Sequence, residues 1–349
     1  MMRIAIRADS STRIGSGHIM RCLALAEALR REGARVVFLC REEAGHLGEE
    51  IARRGFELVW VDDSGQNDPA GHPVRMAGGI DLLIVDHYAL GHTWEEAMRP
   101  FARAIMVIDD LADRPHDCDL LLDQNLLPEM ERRYKKLVPD GCRLLLGLAY
   151  ALLREEFYTA AATAKERNQI NHLLIFFGGG DPDNLTGRAL GELESLSVTA
   201  DIVIGGGNPH RRDLEARCRD KSDRWTLHVQ TDRMAELMAR ADLALGAGGS
   251  THWERCLLGL PALVVTVADN QVATTRLLHQ KGACRWLGTI EDLPVGAFRE
   301  AISDLLAHPQ QLSIMSCAAR KMVPPDGGTG KVVEAIKTLL NAEKVDLIR

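Results

Sequence analysis

Short apolar stretches and longer amphipathic stretches alternate along the first half of the chain. The apolar stretches predict strands at residues 3–8, 36–40, 58–61, 82–85, 105–108 and 120–122. Between them, apolar residues recur at helical spacing and predict helices at 20–31, 44–54 and 93–103. This alternation is typical of a parallel sheet covered by helices on both faces.

The same alternation restarts in the second half. Residues 159–171 are rich in Ala, Lys, Glu, Arg and Asn and lose periodicity, which indicates a linker or a linking helix. Beyond them we predict strands at 173–177, 200–204, 227–229, 243–245 and 263–267, and helices at 185–193, 211–217, 232–240 and 251–259. We therefore expect an α/β protein of two doubly wound, Rossmann-like domains facing each other across a cleft. Their predicted bounds are 1–158 and 159–349.

The first predicted strand ends in a glycine-rich turn that leads to a histidine. Gly15 and Gly17 precede His18, and the first predicted helix follows. Glycine lets backbone N–H groups approach an anion, and a helix N-terminus adds partial positive charge. An imidazole beside such a site can act as a general base near neutral pH. The segment lacks the third glycine of the dinucleotide fingerprint, and a tight turn with His18 as a cap or packing residue is the alternative.

A second glycine-rich turn follows the strand predicted at 243–245. Backbone amides near Gly249 and the hydroxyls of Ser250 and Thr251 suit a diphosphate. Glu254 lies one helical turn later, where its carboxylate can accept hydrogen bonds from two ribose hydroxyls. A capping box built from the same residues is the alternative interpretation.

Three further polar residues each have two interpretations. Gln271 follows the strand at 263–267 and either binds sugar or phosphate oxygens or lies in an ordinary capped helix start. Asp9 either orients His18 or caps the turn. His252 is expected to face solvent or cap its helix rather than take part in catalysis.

Composition narrows the classes of partner. The net charge of −7 implies no broad basic surface, so we expect no nucleic-acid partner. The N-terminus enters a strand without the apolar core of a signal peptide, and no uncharged run approaches the length of a membrane span. We therefore expect a cytoplasmic protein without membrane insertion. The eight cysteines are scattered without zinc-type spacing; we expect buried reduced thiols, no metal and no cofactor.

Two motifs carry a resemblance to known families. The segment Gly-Gly-Ser-Thr-x-x-Glu at 248–254, followed by Gly-Leu-Pro at 259–261, resembles nucleotide-sugar enzymes of the GT-B fold. The segment Arg-Ala-Asp-Ser-Ser-x-x-Ile-Gly-x-Gly-His-x-x-Arg-Cys-Leu at 7–23 is similar to the UDP-sugar hydrolases of pseudaminic acid biosynthesis. Segments at 85–88, 108–110, 123–125, 150–157 and 177–185 match that family in order, whereas the tail after about residue 295 matches less well.

The resemblance implies an activity and a set of site residues. These hydrolases convert UDP-2,4-diacetamido-2,4,6-trideoxy-β-L-altropyranose to UDP and the free sugar, in pathways for surface polysaccharide and flagellin glycosylation. By resemblance, His18 is the catalytic residue, Asn184 binds substrate, Glu254 binds the nucleotide and Tyr88 lines the sugar pocket. A core tyrosine at a strand end is the alternative for Tyr88. UDP is a good leaving group, so one base suffices and the second carboxylic acid of glycosidases is not required.

Two other functions fit the same motifs. A UDP-sugar glycosyltransferase would use His18 to activate an acceptor hydroxyl in place of water. A non-catalytic nucleotide-sugar-binding protein would need Glu254 and the glycine turns but not His18. UDP release without an acceptor separates the three.

Overall fold

The computed structural model of the chain describes residues 2–61 and 79–346. Within these ranges the chain forms two compact units. The first unit contains the described residues up to Arg154 and those from Asp326 onward, and the second is Glu155–Pro325.

The first unit is built on a parallel sheet with helices on both faces. Its strands are β1 (Arg3–Ala8), β2 (Arg35–Cys40), β3 (Glu57–Trp60), β4 (Ile80–Asp86), β5 (Ala102–Ile108), β6 (Leu120–Asp123) and β7 (Arg143–Leu146). They lie in the order β3-β2-β1-β4-β5-β6-β7. The helices are α1 (Gly17–Arg31), α2 (Gly48–Arg53), α3 (His92–Met98) and α4 (Met130–Arg133), with a 3₁₀ turn at Leu148–Tyr150.

Both faces of this sheet are buried, because alternate residues of each strand enter different cores. Ile4 and Ile6 of β1 pack with Leu25 of α1 on one face, while Leu83 of β4 and Val107 of β5 pack on the other. A strand covered on both sides gains apolar burial from every position, which explains why the strands appear as short apolar runs in the sequence.

The last helix of the chain, α13 (Thr329–Asp346), belongs to the first unit. It packs on α1, and its Val332 and Ile336 join the core that contains β1. At its start the Thr329 hydroxyl donates to the Leu153 carbonyl and accepts from the Leu153 amide, at 2.7 and 2.9 Å. This corrects the expected bounds of 1–158 and 159–349, since sequence order alone does not show that the chain returns to its first core.

The second unit repeats the design with six strands in the described part of the chain. They are β8 (His172–Phe176), β9 (Thr199–Ile204), β10 (Trp225–Val229), β11 (Leu243–Ala247), β12 (Ala262–Thr266) and β13 (Arg285–Thr289), all parallel, in the order β10-β9-β8-β11-β12-β13. The helices are α5 (Glu155–Ala162), α6 (Leu185–Leu193), α7 (Arg211–Asp220), α8 (Met234–Arg240), α9 (Thr251–Leu257), α10 (Asp269–Gln280), α11 (Ala297–Ala307) and α12 (Pro309–Arg320). The predicted α/β class with two doubly wound domains is confirmed. No described helix is long and apolar enough to cross a membrane.

Part of the segment predicted as a linker at 159–171 is helical, and one of its side chains is buried. Residues 155–162 form α5, and the side chain of Arg167 is buried. Its guanidinium donates to the carbonyls of Ala241, Leu258 and Gly259 at 3.1, 2.7 and 3.2 Å, just after α8 and α9 end. Burial lowers the pKa of Arg167 to about 10. The polar composition that suggested a linker therefore includes a residue that anchors the segment to the second unit.

Candidate functional site

Each sheet has one place where the strand order reverses, and the predicted residues collect there. In the first unit this point lies between β1 and β4, where Ala8 is opposite Asp86. In the second it lies between β8 and β11. Ligands of open parallel sheets bind outside the carboxyl ends of the strands at such points.

The turn after β1 is closed by its own backbone. Gly15 has a φ of +84°, which favours glycine, and its N–H donates to the Ser11 carbonyl at 2.8 Å. The Ser11 hydroxyl accepts from the Ile14 amide at 3.1 Å. This corrects the expectation that the Gly15 amide faces an anion, because that amide is used inside the turn. A Cβ at Gly17, the first residue of α1, would meet open space.

His18 lies in the first turn of α1 and is held by a carboxylate from β4. Its Nδ1 lies 2.5 Å from Oδ1 of Asp86, and both side chains are buried. An ionised carboxylate only accepts hydrogen bonds, so Nδ1 carries the proton and Nε2 keeps its lone pair. The arrangement therefore provides an oriented imidazole with a free basic nitrogen.

Arg21 keeps this carboxylate charged. Its Nε and Nη2 donate to the two oxygens of Asp86, both at 2.6 Å, and its Nη1 donates to Asp110 at 3.2 Å. Burial by itself would raise the pKa of Asp86, but the charge of Arg21 and the hydrogen bonds from Arg21 and His18 hold it well below its usual range. Asp86 therefore stays ionised across the ordinary pH range.

Tyr88 stands at the open side of this group. Its ring meets His18 edge-on, with centroids 4.6 Å apart, and its hydroxyl donates to Asp110 at 3.4 Å. The residue is 37% exposed, which excludes the alternative of a core tyrosine. Tyr88 therefore lies where it can contact a ligand of His18.

Asp9 joins the ends of neighbouring strands. The buried Arg7 side chain donates to both of its oxygens, the Arg41 amide donates at 2.8 Å, and His87 Nε2 lies 3.0 Å away. These partners follow from neither interpretation of Asp9, since they include neither His18 nor an amide of the turn after β1. Asp86, the actual partner of His18, was missed by sequence reasoning.

In the second unit, the glycine turn after β11 packs closely against α10. Gly249 has a φ of +105°, and a Cβ on Gly248 would lie 2.9 Å from Oε1 of Gln271. That Oε1 accepts the Val267 amide at 3.0 Å. Gln271 therefore uses its oxygen to hold the loop between β12 and α10. Its Nε2 lies 3.9 Å from the position a Cβ of Gly249 would take.

Ser250, Thr251 and Glu254 are partly exposed at the start of α9. Ser250 occupies the N-cap position but its side chain makes no capping hydrogen bond, so the Ser250 form of the capping box is absent. His252 is buried, and its Nε2 lies 2.9 Å from the Thr275 hydroxyl. This corrects the expectation that His252 faces solvent or caps the helix.

Asn184 lies at the end of the turn after β8 and caps α6. Its φ is +54°, and its Oδ1 accepts the Gly187 amide at 3.0 Å. Asp181 in the same turn accepts the amides of Leu185 and Thr186, both at 2.9 Å. The substrate-binding role of Asn184 stays a prediction, and one of its polar atoms already has a structural role.

Comparison with known proteins identifies the fold of this chain. Residues 173–326 match the glycosyltransferase family 28 C-terminal domain. The crystal structure of MurG from Acinetobacter baumannii superposes with a TM-score of 0.65 at 17% identity, covering 97% of this chain and 100% of that one. The chain therefore has the GT-B fold.

Two curated relatives are similar to this chain over most of its length. The UDP-2,4-diacetamido-2,4,6-trideoxy-beta-L-altropyranose hydrolase of Campylobacter jejuni is 29% identical over 281 residues, 80% of this chain and 97% of the relative. This similarity confirms the resemblance to that hydrolase family. A UDP-N-acetylglucosamine–N-acetylmuramyl-(pentapeptide) pyrophosphoryl-undecaprenol N-acetylglucosamine transferase of Halorhodospira halophila is 27% identical over 346 residues, 89% of this chain and 92% of the relative.

Proposed function

We propose that this chain is a UDP-sugar hydrolase that releases UDP and a free 2,4-diacetamido-2,4,6-trideoxy-hexose, in a pathway of pseudaminic-acid type. The observation that carries the proposal is the buried pair of His18 and Asp86, whose Nδ1 and Oδ1 atoms lie 2.5 Å apart. The charge of the Asp86 carboxylate is neutralised by Arg21. The identity of 29% to the Campylobacter jejuni hydrolase supports the substrate class.

His18 is the general base in this proposal. Its Nε2 takes a proton from water while the water oxygen attacks the anomeric carbon, and the bond between that carbon and the phosphate oxygen breaks. UDP leaves with the electron pair. Asp86 holds the imidazole in the required tautomer and stabilises the imidazolium that forms, which is the usual role of a carboxylate behind a catalytic histidine. A single displacement of this kind inverts the anomeric centre.

The nucleotide is assigned to the second unit. We propose that the turn at Gly249, with Ser250 and Thr251, receives the diphosphate and that Glu254 accepts the ribose hydroxyls. Gln271 Nε2 lies near this turn, 3.9 Å from the position that a Cβ on Gly249 would take. Tyr88 contacts the sugar beside His18, and Asn184 is carried over as a substrate contact by resemblance alone.

A glycosyltransferase is the second candidate, and the Halorhodospira halophila transferase supports it. In that reaction the same base would deprotonate an acceptor hydroxyl instead of water, because nothing in the His18–Asp86 pair selects between them. A binding protein without catalysis would need no oriented base.

The test is incubation with UDP-linked 2,4-diacetamido-2,4,6-trideoxy sugars in oxygen-18 water, with EDTA present and no acceptor added. We expect UDP release and the label in the free sugar. UDP release only after an acceptor is added would indicate the transferase, and binding without turnover would indicate the third function. Label in UDP, or activity lost to EDTA, would overturn the proposed mechanism.

A further inference from the structure

A buried arginine without a carboxylate partner lies beneath the glycine turn of the second unit. Arg255, in α9, is 3% exposed, and its Nη2 donates to the Ala247 carbonyl at 2.9 Å. Among the described residues no carboxylate lies within salt-bridge distance of it, and its Nε has no hydrogen-bond partner. Burial lowers the pKa of Arg255. A buried cation whose hydrogen-bond partners are neutral is energetically unfavourable.

The last two residues of β11 are small at the point where they contact this guanidinium. A Cβ on Gly246 would lie 2.5 Å from Nη1 of Arg255 and 2.7 Å from the Phe176 carbonyl. Ala247 follows, with its carbonyl bonded to Arg255. The glycine at 246 is therefore required by the Phe176 carbonyl of β8, and the Arg255 guanidinium fills the space that the missing side chain leaves at the end of β11.

A neutral histidine links the arginine to the other side of the turn. Arg255 Nη2 lies 3.1 Å from His252 Nδ1, and His252 Nε2 lies 2.9 Å from Thr275 Oγ1. Because a guanidinium only donates, Nδ1 accepts and Nε2 carries the proton. Burial, and then the charge of Arg255, lower the pKa of His252 well below its usual range. The histidine therefore adds no negative charge that would offset the positive charge of Arg255.

We propose that Arg255 is a positioning residue for an anionic ligand bound at residues 246–249. Its hydrogen bond to the Ala247 carbonyl holds this segment in place, and the phosphates of the ligand compensate its buried positive charge. The proposal rests on the nucleotide assignment of the proposed function and deepens it. It predicts a preference for the phosphorylated ligand over the same ligand without phosphate, because a cation attracts the phosphates and not the neutral nucleoside.

The test compares the affinities of UDP and uridine, measured by calorimetry, in Arg255→Met and the wild-type chain. We expect R255M to lower the ratio of UDP to uridine affinity about tenfold or more, because the variant no longer supplies a positive charge to the phosphates. Arg255→Lys should restore part of the ratio. Arg167→Met is the matched control, because Arg167 is also a buried arginine of this unit that donates only to carbonyls. R167M should leave the ratio at the wild-type value.

An unchanged ratio in R255M, or an equal fall in R167M, would overturn the proposal and leave Arg255 as a packing residue. If R255M does not fold, Arg255→Gln keeps a donor for Ala247 without the charge and gives the same comparison. If the wild-type chain binds no UDP, the nucleotide assignment fails and inorganic pyrophosphate becomes the probe. Pyrophosphate binding that R255Q loses would still support the anion site, while equal binding or none would reject it.

Discussion

Asp86→Asn removes one charge from the centre of the first site while keeping the size of the side chain. Asp86 is fully buried and accepts two hydrogen bonds from Arg21, one from His18 and one from the Cys22 thiol. The asparagine offers a single acceptor oxygen, so at least one donor loses its partner. His18 also loses the group that fixes its tautomer and stabilises its protonated form.

The structure sets the size of both effects. We expect turnover to fall by about 10²- to 10⁴-fold, the contribution of a well-placed general base. Breaking one side of a buried ion pair typically costs about 3–5 kcal/mol of stability. Arg21 keeps its contact with Asp110 at 3.2 Å, so we expect the lower end of that range. UDP affinity should stay near the wild-type value, because the nucleotide is assigned to the other unit.

The assay is steady-state UDP release together with calorimetric UDP binding and urea unfolding of the same preparation. Asp201→Asn is the matched control, because Asp201 is a buried carboxylate bonded to His172, His228 and Arg240 in the second unit. We expect D201N to lose comparable stability with nearly unchanged turnover. Near-wild-type turnover in D86N, or an equal loss in D201N, would refute the assignment of Asp86 to the base.

Four further substitutions test separate parts of the structure. His18→Ala should lower turnover by about 10²- to 10⁴-fold with UDP affinity intact, measured by the same kinetics and calorimetry. Glu254→Ala should weaken UDP binding by about 1–3 kcal/mol, and an unchanged calorimetric affinity would leave Glu254 without a nucleotide role. Asn184→Ala should lower the free energy of unfolding by about 1 kcal/mol through loss of the cap on α6, while N184D should retain most of it in urea titrations. Burial raises the pKa of Asp123 from 3.8 to about 6, so the unfolded carboxyl ionises first and the free energy of unfolding should fall between about pH 4 and 6 by about 3 kcal/mol. Subtracting the unfolding free energies of D123N from those of the wild-type chain isolates this part of the pH dependence. Identical slopes of unfolding free energy against pH in the two chains would contradict it.

Most strands of both sheets could be predicted from the sequence, but one edge of each sheet could not. The strand predicted at 3–8 is β1 (Arg3–Ala8), and its neighbours differ from prediction only at their ends. The edge strands β7 and β13 were missed. β13 contains Gly288 at a φ of +115°, and its pairing with β12 shifts register there, which breaks the apolar pattern. The helix predicted at 93–103 ends at Met98 because Ala102 already belongs to β5.

His18 could be predicted because its turn, its helix and its resemblance all lie within one short segment. Asp86 lies 68 positions away and reaches His18 only because β4 pairs with β1. Asp9 is nearer in sequence, but Arg7 and the Arg41 amide already occupy its oxygens. Local sequence therefore singled out His18, whereas its partner depends on strand order.

The charges of the two sites support dividing the chemistry between the units. At the carboxyl edge of the first sheet the arginines are matched by carboxylates, as in the pairs of Arg21 with Asp86 and of Arg7 with Asp9. The Gly15 amide of the first turn is already used inside the turn, so it offers no hydrogen bond to a diphosphate, while the buried carboxylate of Asp86 orients His18. Beneath the second turn, Arg255 has no carboxylate partner among the described residues, and a bound anion would lower the cost of its burial. We infer that the first unit takes up the proton and the second binds the phosphates. Substitutions in the first unit should then lower turnover, and substitutions in the second should lower UDP affinity.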